Sequence, residues 1–95
     1  VLEPIWVAKL YISRQTASKL TQLHRLQADD ARDAVQCVPG LLAERVYDKE
    51  LERMKFLVEV QMRRGGRRIR VLVVLFPVDD PLGGAYALGS AYPRV

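Results

Sequence analysis

Residues 56–76 read FLVEVQMRRGGRRIRVLVVLF, and no other stretch constrains the fold as strongly. Phe56, Val58, Val60 and Met62 alternate with Leu57, Glu59, Gln61 and Arg63, the period of two expected of a half-buried strand. Gly65-Gly66 is a hairpin turn signal. The partner strand runs from about Arg68 to Phe76. It is apolar on both faces from Val71 to Phe76, which places it in the interior of a sheet rather than at its edge. A chain of 95 residues organised around such a hairpin is expected to form one domain, spanning residues 1–95, with one core.

The flanking segments supply the other elements. Ile5–Ile12 is rich in β-branched and aromatic residues and predicts a first strand, with Pro4 at its start where a missing N–H is tolerated. Ser13 is a good N-cap, and Ala17, Leu20, Leu23 and His24 recur at helical spacing after it. A second short helix is predicted from Asp29-Asp30, whose negative charge suits a helix N-terminus, with Pro39-Gly40 ending it. Leu42–Tyr47 reads as a strand, the charged run Asp48–Arg53 as a turn, Pro77–Gly84 as a loop and Ala85–Ala91 as a last strand. The expected fold is α+β in the order β-α-α-β-β-β-β, a mainly antiparallel sheet with two helices packed on one face.

Composition narrows the chemistry. Lys plus Arg number 15 against 11 Asp plus Glu, a net charge of +4, and only Lys9, Lys19, Lys49 and Lys55 among the basic residues are lysine. The planar fork of Arg matches phosphate oxygens, so this bias suits an anionic partner; a G- and C-rich genome produces the same bias. Cys37 is the single cysteine, so no intramolecular disulfide forms and no cysteine zinc site is expected, which suits a reducing cytoplasm. No apolar run reaches the ~18 residues of a membrane span, and the N-terminus lacks the pattern of a signal peptide. Neither a cofactor nor a metal is expected.

The densest candidate feature is the set Arg63, Arg64, Arg67, Arg68 and Arg70 around Gly65-Gly66. Five like charges within eight residues repel one another unless an anion is present, which points to phosphate contacts. Such contacts carry affinity and little sequence information. The alternative is a solvated hairpin tip whose charges oppose edge pairing. His24, the only histidine, can act as a general acid or base in phosphodiester cleavage, or can simply complement the C-terminus of a helix.

Near the chain end, Ser90, Tyr92 and Arg94 bring together a hydroxyl, a phenol and a guanidinium, and strand alternation puts Ser90 and Tyr92 on one face. Tyr47 and Tyr86 also lie on predicted strands, where a tyrosine can stack on a base or simply half-bury its ring. Asp79-Asp80 beside Pro81 reads as a turn rather than a cation site. Gly65-Gly66 lacks the Lys-Ser/Thr of a phosphate-binding loop, and Gly83-Gly84 precedes no helix.

The element order and size resemble the RelE/ParE toxin superfamily and its BrnT-like members. SKLTQLHRLQADDARDAV is similar to their helical segment, FLVEVQMRRGGRRIRVLVVLF to their central hairpin, and YALGSAYPR to their last strand. This resemblance implies a ribonuclease toxin of a type II toxin-antitoxin system, acting on RNA to arrest translation and neutralised by a cognate antitoxin protein. In such enzymes the 2′-hydroxyl of the RNA is the nucleophile, and the protein orients the strand and stabilises developing charge. Carried onto this chain, the catalytic residues would be His24, Ser90, Tyr92 and Arg94, with Tyr92 standing where the family's last-strand Arg is expected. ParE-like members of the same layout inhibit DNA gyrase and cleave nothing, so the resemblance also permits a non-enzymatic toxin or nucleic-acid-binding module.

Overall fold

The β4–β5 hairpin organises the computed structural model, which describes residues 1–94. β4 (Arg53–Arg64) and β5 (Arg67–Pro77) pair antiparallel from Phe56↔Leu75 to Arg64↔Arg67. Gly65 and Gly66 have φ of 58° and 79°, the pair of left-handed residues that a two-residue primed turn requires. β5 is interior, flanked by β4 and by β6 (Ala85–Arg94), as its two apolar faces predict. β3 (Leu41–Asp48) lies on the other side of β4.

The N-terminal segment departs from expectation. Instead of one strand over Ile5–Ile12 there are two: β1 (Leu2–Ile5), antiparallel to β3, and β2 (Lys9–Tyr11), parallel to β6. The order is therefore β-β-α-α-β-β-β-β, and the sheet runs β1-β3-β4-β5-β6-β2 with six strands. Both edges come from one short stretch of chain, joined only by Trp6, Val7 and Ala8. The four Cα steps from Ile5 to Lys9 reach at most ~14 Å, whereas the outer strands of a flat six-stranded sheet stand ~24 Å apart. The sheet is thus curled, its edges drawn together by the link.

That link is held on both sides. Cys37 N–H donates to the Val7 carbonyl at 2.7 Å, and Ala8 N–H to the Gly84 carbonyl at 2.8 Å. On β2, Leu10 N–H donates to Gln36 Oε1 at 2.9 Å, and the Arg32 guanidinium donates to the Leu10 carbonyl. Side chains from the end of a helix thus satisfy backbone groups that the next strand of a larger sheet would otherwise take.

Helix α1 (Arg14–His24) begins as its sequence predicts, with Thr16 N–H donating to Ser13 Oγ at 3.1 Å. It ends at a left-handed Arg25 with φ 56°; Leu26 N–H reaches back to the Leu20 carbonyl at 3.1 Å, and both leucines are buried. Helix α2 (Ala28–Val35) carries Asp29 and Asp30 in its first turn. It stops before Pro39-Gly40, because Gln36 is already extended and Cys37 is left-handed, the geometry that seals β2.

Leu20, Leu26, Ala31 and Val35 of the helical segment pack with Phe56, Val58, Met62, Val71, Val73 and Leu75 in one core. The strand residues between them, Leu57, Glu59, Leu72 and Val74, point to the opposite face. No helix among the described residues is long and apolar enough to cross a membrane.

Candidate nucleic-acid interface

The register of the sheet sets arginine against arginine. Arg64 faces Arg67 and Arg63 faces Arg68 across the β4–β5 hairpin, and Arg70 faces Arg94 across β5 and β6. Like charges directly opposite each other on a sheet cost ~0.2–1 kcal/mol a pair, and three of these pairs lie at one end of the molecule. β3 pairs with β4 no further along than Val58, and β6 with β5 no further than Arg70. The segment from Arg63 to Arg68 is therefore an arm whose only strand partners are its own.

Neutralisation along the arm is slight. Arg70 lies 3.6 Å from Glu59, with both side chains about half or more exposed, so the pair is weakly coupled. Arg63 and Arg68 share a shallow depression with Asp30 and Asp33 of α2. Arg64 takes a different direction: its guanidinium donates to the carbonyl oxygen of His24 at 3.4 Å, at the C-terminus of α1.

His24 in turn meets β6. Its ring packs edge-on against Tyr92, with centroids 5.6 Å apart and planes at 75°. His24, Tyr92 and Ser90 line one groove of about 290 Å³ between α1 and β6, together with Lys19, Leu20, Leu23, Thr16 and Gly89. A neighbouring depression of about 440 Å³, lined by Leu23, His24, Arg25, Arg64 and Gly65, joins this groove to the hairpin tip. Three of the four candidate catalytic residues are thus brought together. Arg94 stands apart from them, on the outer face of the sheet beside Arg70, in a trough with Leu42, Glu44, Leu57 and Glu59.

Two basic residues that reading the sequence did not select, Lys19 and Arg25, line these depressions. The signal for Lys19 was its place on α1 near Leu23 and His24; that for Arg25 was its adjacency to His24 at the helix end. The Arg64–His24 contact joins residues 40 apart and had no local signal.

The groove offers an imidazole, a phenol and a hydroxyl beside guanidinium charge. These groups can move a proton and stabilise an anion. None of the residues lining it is a carboxylate that would orient the imidazole.

The remaining sequence candidates lie elsewhere. Tyr47 pairs with Met54 near the opposite end of the sheet. Tyr86 packs edge-on against Phe56 at 5.8 Å; burial, reinforced by the Glu3 carboxylate and opposed by Arg45, pushes its phenol above the ordinary value. Asp80 is a turn residue, its Oδ1 accepting from Leu82 N–H at 2.8 Å. Among the described residues, no three His, Cys, Asp or Glu side chains gather as a metal site. No family model matches this chain, nor does any curated protein or solved structure.

Proposed function

We propose that this chain binds RNA along the arginine arm and cleaves it in the groove of His24, Ser90 and Tyr92, as the ribonuclease toxin of a type II toxin-antitoxin pair with a RelE-like fold. The observation that carries the reading is the run of opposed arginines leading, through Arg64, to the only histidine. A sheet that holds like charges in register is relieved when a polyanion lies along it. In this reading the arm positions the phosphates. His24 takes the proton from the 2′-hydroxyl or gives one to the leaving 5′-oxygen, and the Tyr92 and Ser90 hydroxyls donate to the phosphate oxygens. Arg94, outside the groove, extends the phosphate track beside Arg70 and takes no part in the chemistry. A cognate antitoxin would cover the same basic surface.

The test uses purified protein with single-stranded RNA, following product ends, and induced expression in a bacterial host, following growth and total RNA. New fragments ending in 2′,3′-cyclic phosphate, growth arrest, and loss of both in His24→Ala while RNA is still bound support the reading. Intact RNA with normal growth, from folded protein, refutes it. The absence of a carboxylate from the groove lining favours one second reading, an RNA-binding module without cleavage. It predicts salt-sensitive RNA binding that needs the arm, with no fragments.

A further inference from the structure

Helix α1 closes on Arg25, whose backbone is left-handed at φ 56° and ψ 35°. The closure needs only the backbone, through Arg25 N–H and the carbonyls of Leu20 and Thr21. Glycine takes this conformation without strain and asparagine commonly does, whereas other side chains set their Cβ against the following carbonyl oxygen. The residue present is nonetheless an arginine. Among the described residues, guanidinium hydrogen bonds and ion pairs are made by Arg32, Arg45, Arg53, Arg64 and Arg70, and none by Arg25. Cys37, also left-handed, turns its thiol to the Ala8 carbonyl at 3.6 Å. A strained backbone that holds out an unpaired charge points to a use for that charge outside the fold.

Arg25 lines the depression of about 440 Å³ between the His24 groove and the hairpin tip, with Leu23, His24, Arg64 and Gly65. Two guanidiniums stand there and no carboxylate. Arg64 gives an N–H to the His24 carbonyl and keeps others of its five donors. Gly65 leaves its side of the depression open, since a Cβ there would meet nothing within 4 Å. No Phe, Tyr or Trp lines it, so it lacks the aromatic platform on which a base would stack. The ligand chemistry that fits is a phosphodiester, whose oxygens accept from planar guanidinium forks.

We propose that this depression is the subsite for the phosphate next to the scissile one, and that Arg25 is the residue that holds it. The proposal rests on the ribonuclease reading above and deepens it. The depression and the groove share Leu23 and His24, so a strand seated in one presents its neighbouring linkage to the other. Arg25 thereby fixes which linkage reaches the imidazole. It binds substrate and takes no part in proton transfer.

The test uses an RNA whose riboses are all 2′-O-methylated but one, so that only the linkage after that ribose can be cut. A neutral methylphosphonate replaces the phosphodiester just before or just after that linkage. Single-turnover cleavage by the parent should fall about tenfold when one of these two neighbours is neutral, the order expected of a lost charge-assisted hydrogen bond. Arg25→Gly should cut the unmodified strand about tenfold more slowly and lose nothing further from the neutral linkage. Its urea midpoint should stay at or above that of the parent, because glycine relieves the left-handed backbone. Arg25→Lys, which keeps the charge, should retain most of the rate. Two controls separate strain and net charge from the site. Glu52→Gly gives the same relief in the turn between β3 and β4 and should not slow cleavage. Arg14→Gln removes a cation from the far end of α1 and should change the rate little. A parent that cuts normally, with Arg25→Gly cutting equally fast or still sensitive to the neutral linkage, overturns the proposal and leaves the ribonuclease reading standing. So does a parent indifferent to both neutral linkages. A lower urea midpoint in Arg25→Gly overturns it as well, since the side chain would then serve the fold. A parent that cuts no RNA removes the ribonuclease reading and this proposal with it.

Discussion

The Arg64 guanidinium donates to the carbonyl oxygen of His24 at 3.4 Å, so the tip of the β4–β5 hairpin is fastened to the C-terminus of α1. The end of a helix carries partial negative charge, and a cation there is favourable. The contact also sets where the arm lies relative to the groove that holds the histidine. Arg64→Gln should therefore reduce RNA cleavage more than RNA binding, because Arg63, Arg67, Arg68 and Arg70 still hold phosphate while the arm loses its anchor. Single-turnover cleavage compared with filter binding on the same RNA separates the two. Equal losses in both would reduce Arg64 to one phosphate contact among several.

Arg67 faces Arg64, and Arg68 faces Arg63. Removing one member of a like-charged rung relieves repulsion, so Arg67→Ala and Arg68→Ala should each stabilise the free protein, by a few tenths to ~1 kcal/mol at low salt. The same changes should weaken RNA binding and make the dependence of log K on log salt shallower by about 1 for each arginine that had neutralised a phosphate. Urea denaturation together with a salt titration of binding tests both halves. Lower stability in both variants would mean that their aliphatic stems support the arm and that repulsion is unimportant.

The hairpin, the turn glycines, the Ser13 cap and the end of α1 near His24 were legible because each rests on residues close in sequence. The break in the first strand was not. Ile5, Trp6, Val7, Leu10, Tyr11 and Ile12 are all good strand formers, and nothing local says that Ile5 will pair with Leu41 and Lys9 with Ala85. That division follows from curling of the sheet and from Gln36 and Arg32 reaching Leu10, contacts that cross more than 20 residues. The candidate site divides in the same way. Strand alternation placed Ser90 beside Tyr92, but only the packing of α1 against β6 brought His24 to them, and the register of β5 with β6 carried Arg94 to Arg70 instead.

Asp48, at the end of β3, accepts from Leu51 N–H at 3.0 Å and from Lys55 Nζ at 3.2 Å. The Leu51 amide first, then Lys55, hold its carboxyl below the ordinary value of 3.8 against the opposing effect of burial. A carboxyl whose folded pKa is depressed stabilises the fold above its unfolded pKa, and that contribution disappears as pH falls through the folded value. Asp48→Asn should therefore be less stable than the parent at neutral pH, with the gap closing below about pH 4. Thermal melts of both proteins between pH 7 and pH 2.5 measure this. A gap that stays constant down to the lowest pH would show that the carboxylate charge contributes nothing.

Gly89 lies where β5 and β6 slip register between Val74 and Leu75, and the ring of Phe76 crosses directly over it. A Cβ at this position would run into that ring, coming within 2.9 Å of Cδ2 and closer still to Cε2. The Arg53 guanidinium lies over the same ring at 4.6 Å, so moving the ring also disturbs this stacking contact. Gly89→Ala should thus destabilise the protein by ~1–3 kcal/mol, the usual cost of overpacking. Phe76→Leu should cost less in the Gly89→Ala background than alone, because the smaller side chain leaves room for the added methyl. A double-mutant cycle by urea denaturation reads this coupling directly. Because Gly89 also lines the groove of His24 and Tyr92, the single variant should lose RNA cleavage even where it remains folded, whereas the double variant, with room for the added methyl, should regain cleavage. Coupling in stability without any return of cleavage would place the catalytic geometry in the bulge itself rather than in its packing.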